Sequence, residues 1–439
     1  VSEPLTAAAP GSATLGWLAI MRLGLVQMAL GSIVVLTTST LNRLMVVELA
    51  LPALLPGFLV ALHYGIQITR PNWGFISDKG GNRTRWILRG MAILAAGGLM
   101  AAGGVVVMET NRMGGIGLSV LAYALIGLGA GAAGTSVLAL LATATAPHRR
   151  AAAATITWLM MIFGIAMTAG VVGSFLDPYS PARLMTVVAL VCVAALSITL
   201  VATWRIERGV EAAPEPDSVP FREGLAQVWA EPAARVFTIF VFLSMTAFFM
   251  QELILEPYAG LVFAFTPGES TQLSGMQNGG VFLGMLLVGI AATGLRIGSL
   301  RAWVVGGCIG SAAALAMLAG IGGSASKSLL MGATVALGFF NGVFAVAAIG
   351  SMMALAGQGR EKREGTRMGL WGAAQAIAAG FGGLMGAGLA DLMRQVTSDA
   401  PAFGTVFLIE AALFLSAALM AARIMPGRAP DPRTLVPGE

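Results

Sequence analysis

Charged residues are scarce here. Asp, Glu, Lys and Arg make up 11% of 439 residues, against roughly 25% in soluble domains. So few charges cannot clothe a water-soluble surface when 57% of the chain is hydrophobic, which excludes an ordinary soluble globule. Cysteine is nearly missing. Cys192 and Cys308 both lie inside apolar runs, which excludes a disulfide framework and reads as packed thiols. Histidine is limited to His63 and His148. No phosphate loop, HExxH pair, nucleophile elbow or CxxC occurs, so the chain carries no catalytic constellation and reads as a non-enzyme. The opening VSEPLTAAAPGSATLGW has no basic stretch before an apolar core. It reads as a flexible tail rather than a cleavable signal.

What is present is apolar sequence in long runs. Mean hydropathy is +0.83, and about 20 apolar residues cross a bilayer as helix. Twelve such segments are expected near 20–42, 47–68, 86–107, 115–141, 152–175, 183–204, 234–256, 272–293, 302–321, 329–355, 367–389 and 402–422. The longest internal hydrophilic stretch, Trp204 to Gly224, falls between the sixth and seventh. The expected organisation is therefore a tail at 1–19, a six-helix bundle at 20–204, a linker at 205–233, a second bundle at 234–422 and a tail at 423–439. With both termini cytoplasmic, 21 of the 26 Lys and Arg fall inside and 5 outside, a strong positive-inside asymmetry. The net charge of +5 needs no nucleic acid to explain it, because basic cytoplasmic loops facing anionic lipid explain it as well.

The two halves repeat. Trp158 and Trp371 are 213 apart, and Asp177 and Asp391 are 214 apart. Two parallel six-helix repeats are the arrangement of the major facilitators. The loop GFISDKGGNR after the second segment resembles the loop signature of that superfamily. The resemblance implies an all-α polytopic membrane protein with 12 transmembrane helices in two six-helix halves. It also assigns roles within the loop. Gly74 allows close helix approach, Asp78 pairs across the half interface, and Gly81 permits the turn. Arg83 sits at the headgroup level. The equivalent loop of the second half, GLRIGSLRAW, has no acid, so an Asp78 latch would be one-sided.

The flanks narrow the match. STLNRLMVVELALPALLPGFLVALHYGIQITRPNWGFISD (39–78), QELILEPYAGLVF and TQLSGMQNGGVFLG resemble the PucC and LhaA family, the bacteriochlorophyll-delivery branch of the major facilitators. The resemblance implies assembly of core (LH1) or peripheral (LH2) light-harvesting complexes in the bacterial inner, intracytoplasmic photosynthetic membrane. Implied partners are antenna polypeptides, bacteriochlorophyll or its synthesis machinery, reaction centre–LH1 intermediates and membrane lipid. Bacteriochlorophyll a is implied as bound cargo, with no redox or nucleotide cofactor. The competing reading is a secondary transporter of a hydrophobic or amphipathic small molecule. A third is a structural subunit of the photosynthetic complex.

Polar groups inside spans are expensive, and they mark candidate sites. His63 and Gln67 are four apart and share a helix face with Tyr64 nearby. A neutral imidazole is able to ligate the magnesium of a chlorin, and Asn278 and Asn341 supply weaker oxygen ligands. The other reading of His63 is a packed, hydrogen-bonded side chain. Glu48 is expected at the outer end of the second span, Glu252 and Glu256 near the outer end of the seventh, and Glu410 deeper in the twelfth. Glu252 and Glu256 read either as a rim pair solvated by interfacial water or as an acid pair for a cation or protons. The first and fourth spans hold no acid, so the lining is expected to be apolar and small-sided.

Overall fold

A computed structural model of the chain describes residues 14–67, 82–146, 149–208, 229–295, 297–324, 326–356 and 364–425. The structure is all helix. The spans are α1 (Trp17–Thr38), α2 (Leu54–Ile66), α3 (Arg83–Met108), α4 (Arg112–Ala144), α5 (Arg150–Leu176), α6 (Pro181–Thr203), α7 (Pro232–Met250), α8 (Pro267–Val288), α9 (Leu300–Gly320), α10 (Lys327–Ala356), α11 (Glu364–Arg394) and α12 (Asp399–Ile424). Among the described residues, eleven helices are long and apolar enough to cross a membrane, while α2 is described over 13 residues.

Short polar punctuation starts these helices. Asn82 accepts the Arg85 amide at α3, Asn111 accepts the Gly114 amide at α4, and Ser299 accepts the Ala302 amide at α9. Ser180 and Thr266 do the same for α6 and α8, each followed by proline at the first helical position. Thr266 and Glu269 complete a reciprocal capping box.

Two helices are broken where the sequence suggests simple ends. α1 stops at Ser39, resumes as Thr40–Arg43 and winds into a π-helical turn, Leu44–Glu48. α7 passes through a tight turn, Gln251–Leu253, into Leu255–Phe263. The two breaks correspond. Ala50 and Ala264, 214 residues apart, close them with positive φ of 48° and 53°. This corrects the expected segment boundaries. Glu48 belongs to the end of the first span, not to the second, because helical winding persists through Glu48 and the next helix begins only at Leu54. The seventh span likewise runs on to Phe263.

Buried apolar side chains gather in two main clusters, one almost wholly from α1–α6 and one from α7–α12. Packing repeats between them. α1 lies on α5 and α6 as α7 lies on α11 and α12. α2 lies on α4 as α8 lies on α10, and α3 lies on α4 and α6 as α9 lies on α10 and α12. Across the molecule α5 packs on α8 and α11 packs on α2, the pairing expected of a two-fold relation. Helix backbones approach closely, as α3 does on α4. A Cβ on Gly90 would meet the Ala133 nitrogen at 2.5 Å, and one on Gly129 the Leu94 nitrogen at 2.5 Å. Small residues let these backbones touch.

Candidate functional site between the two halves

The end of the molecule that carries Asp177 is closed by hydrogen bonds from one half to the other. The extension of α1 supplies the first set. Thr40 Oγ1 meets Thr271 Oγ1 at 3.2 Å, and Asn42 Nδ2 donates to the Leu253 carbonyl at 2.9 Å. Arg43 Nη2 donates to the Phe265 carbonyl at 2.7 Å, while Nη1 pairs with Glu48. Asn42 and Arg43 are buried, although Glu48 is 41% exposed. The break in α7 explains the Asn42–Leu253 bond: a carbonyl released from regular helix accepts from a side chain instead.

Two aspartates supply the second set. At the end of α5, Asp177 accepts from the Gly268 amide (3.0 Å) and the Thr266 hydroxyl (2.5 Å) at the start of α8. On α11, Asp391 accepts from the Ala53 and Leu54 amides (3.0 and 2.8 Å) at the start of α2. Each carboxylate meets the positive end of a helix from the opposite half. Beside this seam, Tyr179 donates to Glu109 at 3.3 Å; burial and the Glu109 charge push its phenol up to about 12.

The acids of the seventh span lie under this seam. Glu256 is buried at 3% exposure and Glu252 is partly buried. Thr38 stands beside Glu252, and Ser39, Arg43 and Ser274 stand beside Glu256. The rim-pair expectation is therefore corrected for Glu256: the broken helix turns it into the half interface, away from water. The expectation of an apolar lining is corrected with it, because Thr38, Ser39, Thr40, Asn42 and Arg43 place a polar surface there. Glu410 is fully buried in the second half, with neither carboxyl oxygen hydrogen-bonded.

The other candidates are dispersed. His63 and Gln67 join through Nε2···Nε2 at 2.8 Å, both buried, with the His63 backbone against Gly127 of α4. Tyr64 leans on His63 and reaches Phe249 of α7 with ring centroids 5.8 Å apart. Asn278 donates to its own helix at Ser274, and Asn341 accepts from Ser311 at 2.8 Å inside the second half. Gly74, Asp78 and Gly81 lie outside the described residues. Arg83 is described and departs from the headgroup expectation. It is buried and donates to the Ala139 carbonyl at 3.1 Å and to Thr143 of α4, so its charge serves the bundle. Its backbone amide, with that of Thr84, is capped by Glu207 at 2.9 and 3.1 Å. Among the described residues, no group of three or more His, Cys, Asp or Glu is placed to hold a metal ion.

Sequence reasoning missed the bridging role of Asp177, Asp391 and Arg43. The 214-residue spacing of the aspartates was the available signal.

Comparison with solved structures confirms the architecture. A bacterial homologue of the lysosomal transporter Spinster, in an inward-facing conformation, matches with TM-score 0.64 and 14% identity, over 92% of this chain and 94% of that one. The nucleoside transporter NupG matches with TM-score 0.68 and 14% identity, over 93% and 100%. At such identity the likeness concerns the fold alone, that of the major facilitators. Sequence relatives are closer. The bacteriochlorophyll synthase 44.5 kDa chain of Rhodobacter capsulatus is 64% identical, covering 94% of this chain and 97% of that protein. Protein PucC of Cereibacter sphaeroides is 30% identical over 90% of each. The PUCC protein family model matches residues 40–429. The chain belongs to the PUCC protein family.

Proposed function

We propose that this chain is a non-enzymatic assembly factor for bacterial light-harvesting complexes, handling bacteriochlorophyll, antenna polypeptides or both. The observation that carries this reading is the 64% identity, over nearly the whole chain, to a protein named for bacteriochlorophyll. The fold supports the membrane setting. Its flanks present large apolar side chains such as Phe163, Phe175, Leu283 and Leu419, a surface suited to lipid, pigment tails and antenna helices. A hydrophobic macrocycle gains little by leaving lipid for such a surface, so shape and a few polar contacts supply selectivity. In this reading the Asp177 end faces the periplasm of the inner membrane and both termini face the cytoplasm.

The second reading is secondary transport of an amphipathic molecule. It is favoured by one observation, the buried polar surface between the halves. Gentle purification from a pigmented strain separates the two. The absorption spectrum reports bound pigment, and mass spectrometry reports bound antenna polypeptides. An assembly factor brings down one or both. A preparation free of both, from a strain whose antenna level does not depend on the protein, rejects the first reading.

A further inference from the structure

Arg22 of α1 closes the end of α6 that lies away from Asp177. Its Nε donates to the Ala202 carbonyl at 2.9 Å and its Nη2 to the Trp204 carbonyl. These oxygens form the negative end of α6. Backbone carbonyls satisfy two donors of the guanidinium but leave its charge in place. Neither α1 nor α6 contains an acid. Glu207, the acid that follows α6, spends both oxygens on the Arg83 and Thr84 amides. Among the described residues, Arg22 therefore has no carboxylate partner, and its Nη1 makes no hydrogen bond.

Arg22 opens into a groove of about 420 Å³ whose other walls are Leu200, Val201 and Trp204. All three of these side chains are exposed. Arg205 takes the left-handed conformation, φ 54°, and its guanidinium lies 5.8 Å from the centroid of the Trp204 ring. Trp204 is thus shared by the groove that holds Arg22 and by the guanidinium of Arg205. Along α6, the exposed residues Leu190, Val193, Ser197, Leu200 and Val201 recur at helical spacing and lead up to Trp204. From Leu190 to Trp204 this stripe runs about 21 Å at 1.5 Å per residue, enough to follow an acyl chain through one leaflet of a roughly 30 Å hydrocarbon core. Tryptophan and arginine at its upper end are the residues that settle at headgroup level.

We propose that Arg22, Trp204 and Arg205 form a binding site for one anionic phospholipid. The phosphate takes Nη1 of Arg22 and the guanidinium of Arg205, the ester region meets the indole of Trp204, and one acyl chain lies along the α6 stripe. Charge decides the occupant. Two cations without carboxylates above an apolar wall suit a headgroup of net negative charge joined to a hydrocarbon tail. A zwitterionic headgroup brings its own ammonium to the same arginines, and a free phosphate leaves the wall uncovered. This is a built site rather than the general attraction of basic loops to lipid, because Arg22 lies within a span and is held by the carbonyls of another. The inference is independent of the antenna reading.

The second half lacks the arrangement. α12 ends with Arg423 in its last turn and no tryptophan. Arg235, near the start of α7, is exposed and donates no side-chain hydrogen bond among the described residues. It has the same charge at the same end of the molecule, away from the groove, and serves as the control.

The test uses the full-length protein reconstituted in phosphatidylcholine vesicles. A minor fraction of the lipid carries brominated chains, either on phosphatidylglycerol or on phosphatidylcholine. Quenching of Trp204 is the difference between each protein with and without Trp204→Phe. Brominated phosphatidylglycerol is expected to quench it severalfold more than brominated phosphatidylcholine. Arg22→Gln and Arg205→Gln should each bring that ratio towards one, while Arg235→Gln leaves it unchanged. Should Arg22→Gln not fold, Arg205→Gln, on an exposed side chain, decides alone. The proposal is overturned by equal quenching in the parent, by a preference that survives either groove variant, or by an equal loss in Arg235→Gln. It is also overturned if inorganic phosphate abolishes the preference at matched ionic strength, which marks a free-anion site.

Discussion

Asp177 and Asp391, 214 residues apart, make the same contact from opposite halves. Each accepts two hydrogen bonds at the start of a helix that belongs to the other half. Together they brace the Asp177 end at two places, with the Arg43 seam between halves as a third. The anticipated latch at Asp78 falls on the loop at the other end of α2 and α3, outside the described residues. The inter-half bracing described at the Asp177 end is two-fold.

Removing either cap should loosen that end. Asp391→Ala is expected to cost about 1 kcal/mol by loss of an N-cap, and Asp177→Ala about as much. Thermal unfolding in detergent measures the cost. Thiol labelling of a cysteine at Leu54 should speed up in Asp391→Ala and not in Asp177→Ala. Equal labelling in both variants would say that the caps are incidental.

Gly268 should tolerate no side chain. A Cβ there would fall 2.6 Å from the Asp177 carboxyl carbon and 2.5 Å from the Gly173 carbonyl oxygen. Gly268→Ala is therefore expected to mimic loss of the Asp177 cap, while alanine at Gly279, which has open space around it, leaves unfolding unchanged. A neutral Gly268→Ala would contradict the close contact of α5 and α8.

The other end depends on Glu207. It caps α3 through the amides of Arg83 and Thr84. Glu207→Gln keeps the acceptor and loses the charge at a helix N-terminus, an effect of about 0.3–1 kcal/mol. Glu207→Ala should lose more. The ordering of the two variants in thermal unfolding checks this, and a reversed ordering would reject the cap.

His63 and Gln67 hydrogen-bond to each other inside the first half. His63→Ala and Gln67→Leu are expected to lower membrane abundance together, with unchanged pigment per protein. Loss of pigment at unchanged abundance, in His63→Ala alone, would instead assign the ring to the pigment magnesium.

Much of the fold was legible because the bilayer imposes span length and the caps are local. Asn82, Asn111, Ser180 and Thr266 start helices two to five residues before the apolar segments expected from 86, 115, 183 and 272. The breaks in α1 and α7 were not legible, since apolar character continues through Leu44–Glu48 and Leu255–Phe263. Arg43 shows the same limit. Counting bases assigns it to a loop, yet its carbonyl partner Phe265 lies 222 residues away. Only the tertiary pairing shows that the base is buried. The site acids were visible as types and spacing, but their burial depends on where the broken helix turns.

The central claim is a role in antenna assembly, and one measurement bears on it most directly. Absorption of intracytoplasmic membranes from a deletion strain gives assembled antenna, and solvent extraction of the same cells gives total bacteriochlorophyll. The account predicts a fall in assembled antenna with pigment synthesis largely intact, restored by the intact gene. Antenna unchanged in the deletion strain, or a loss of antenna that only follows an equal loss of pigment synthesis, would contradict it.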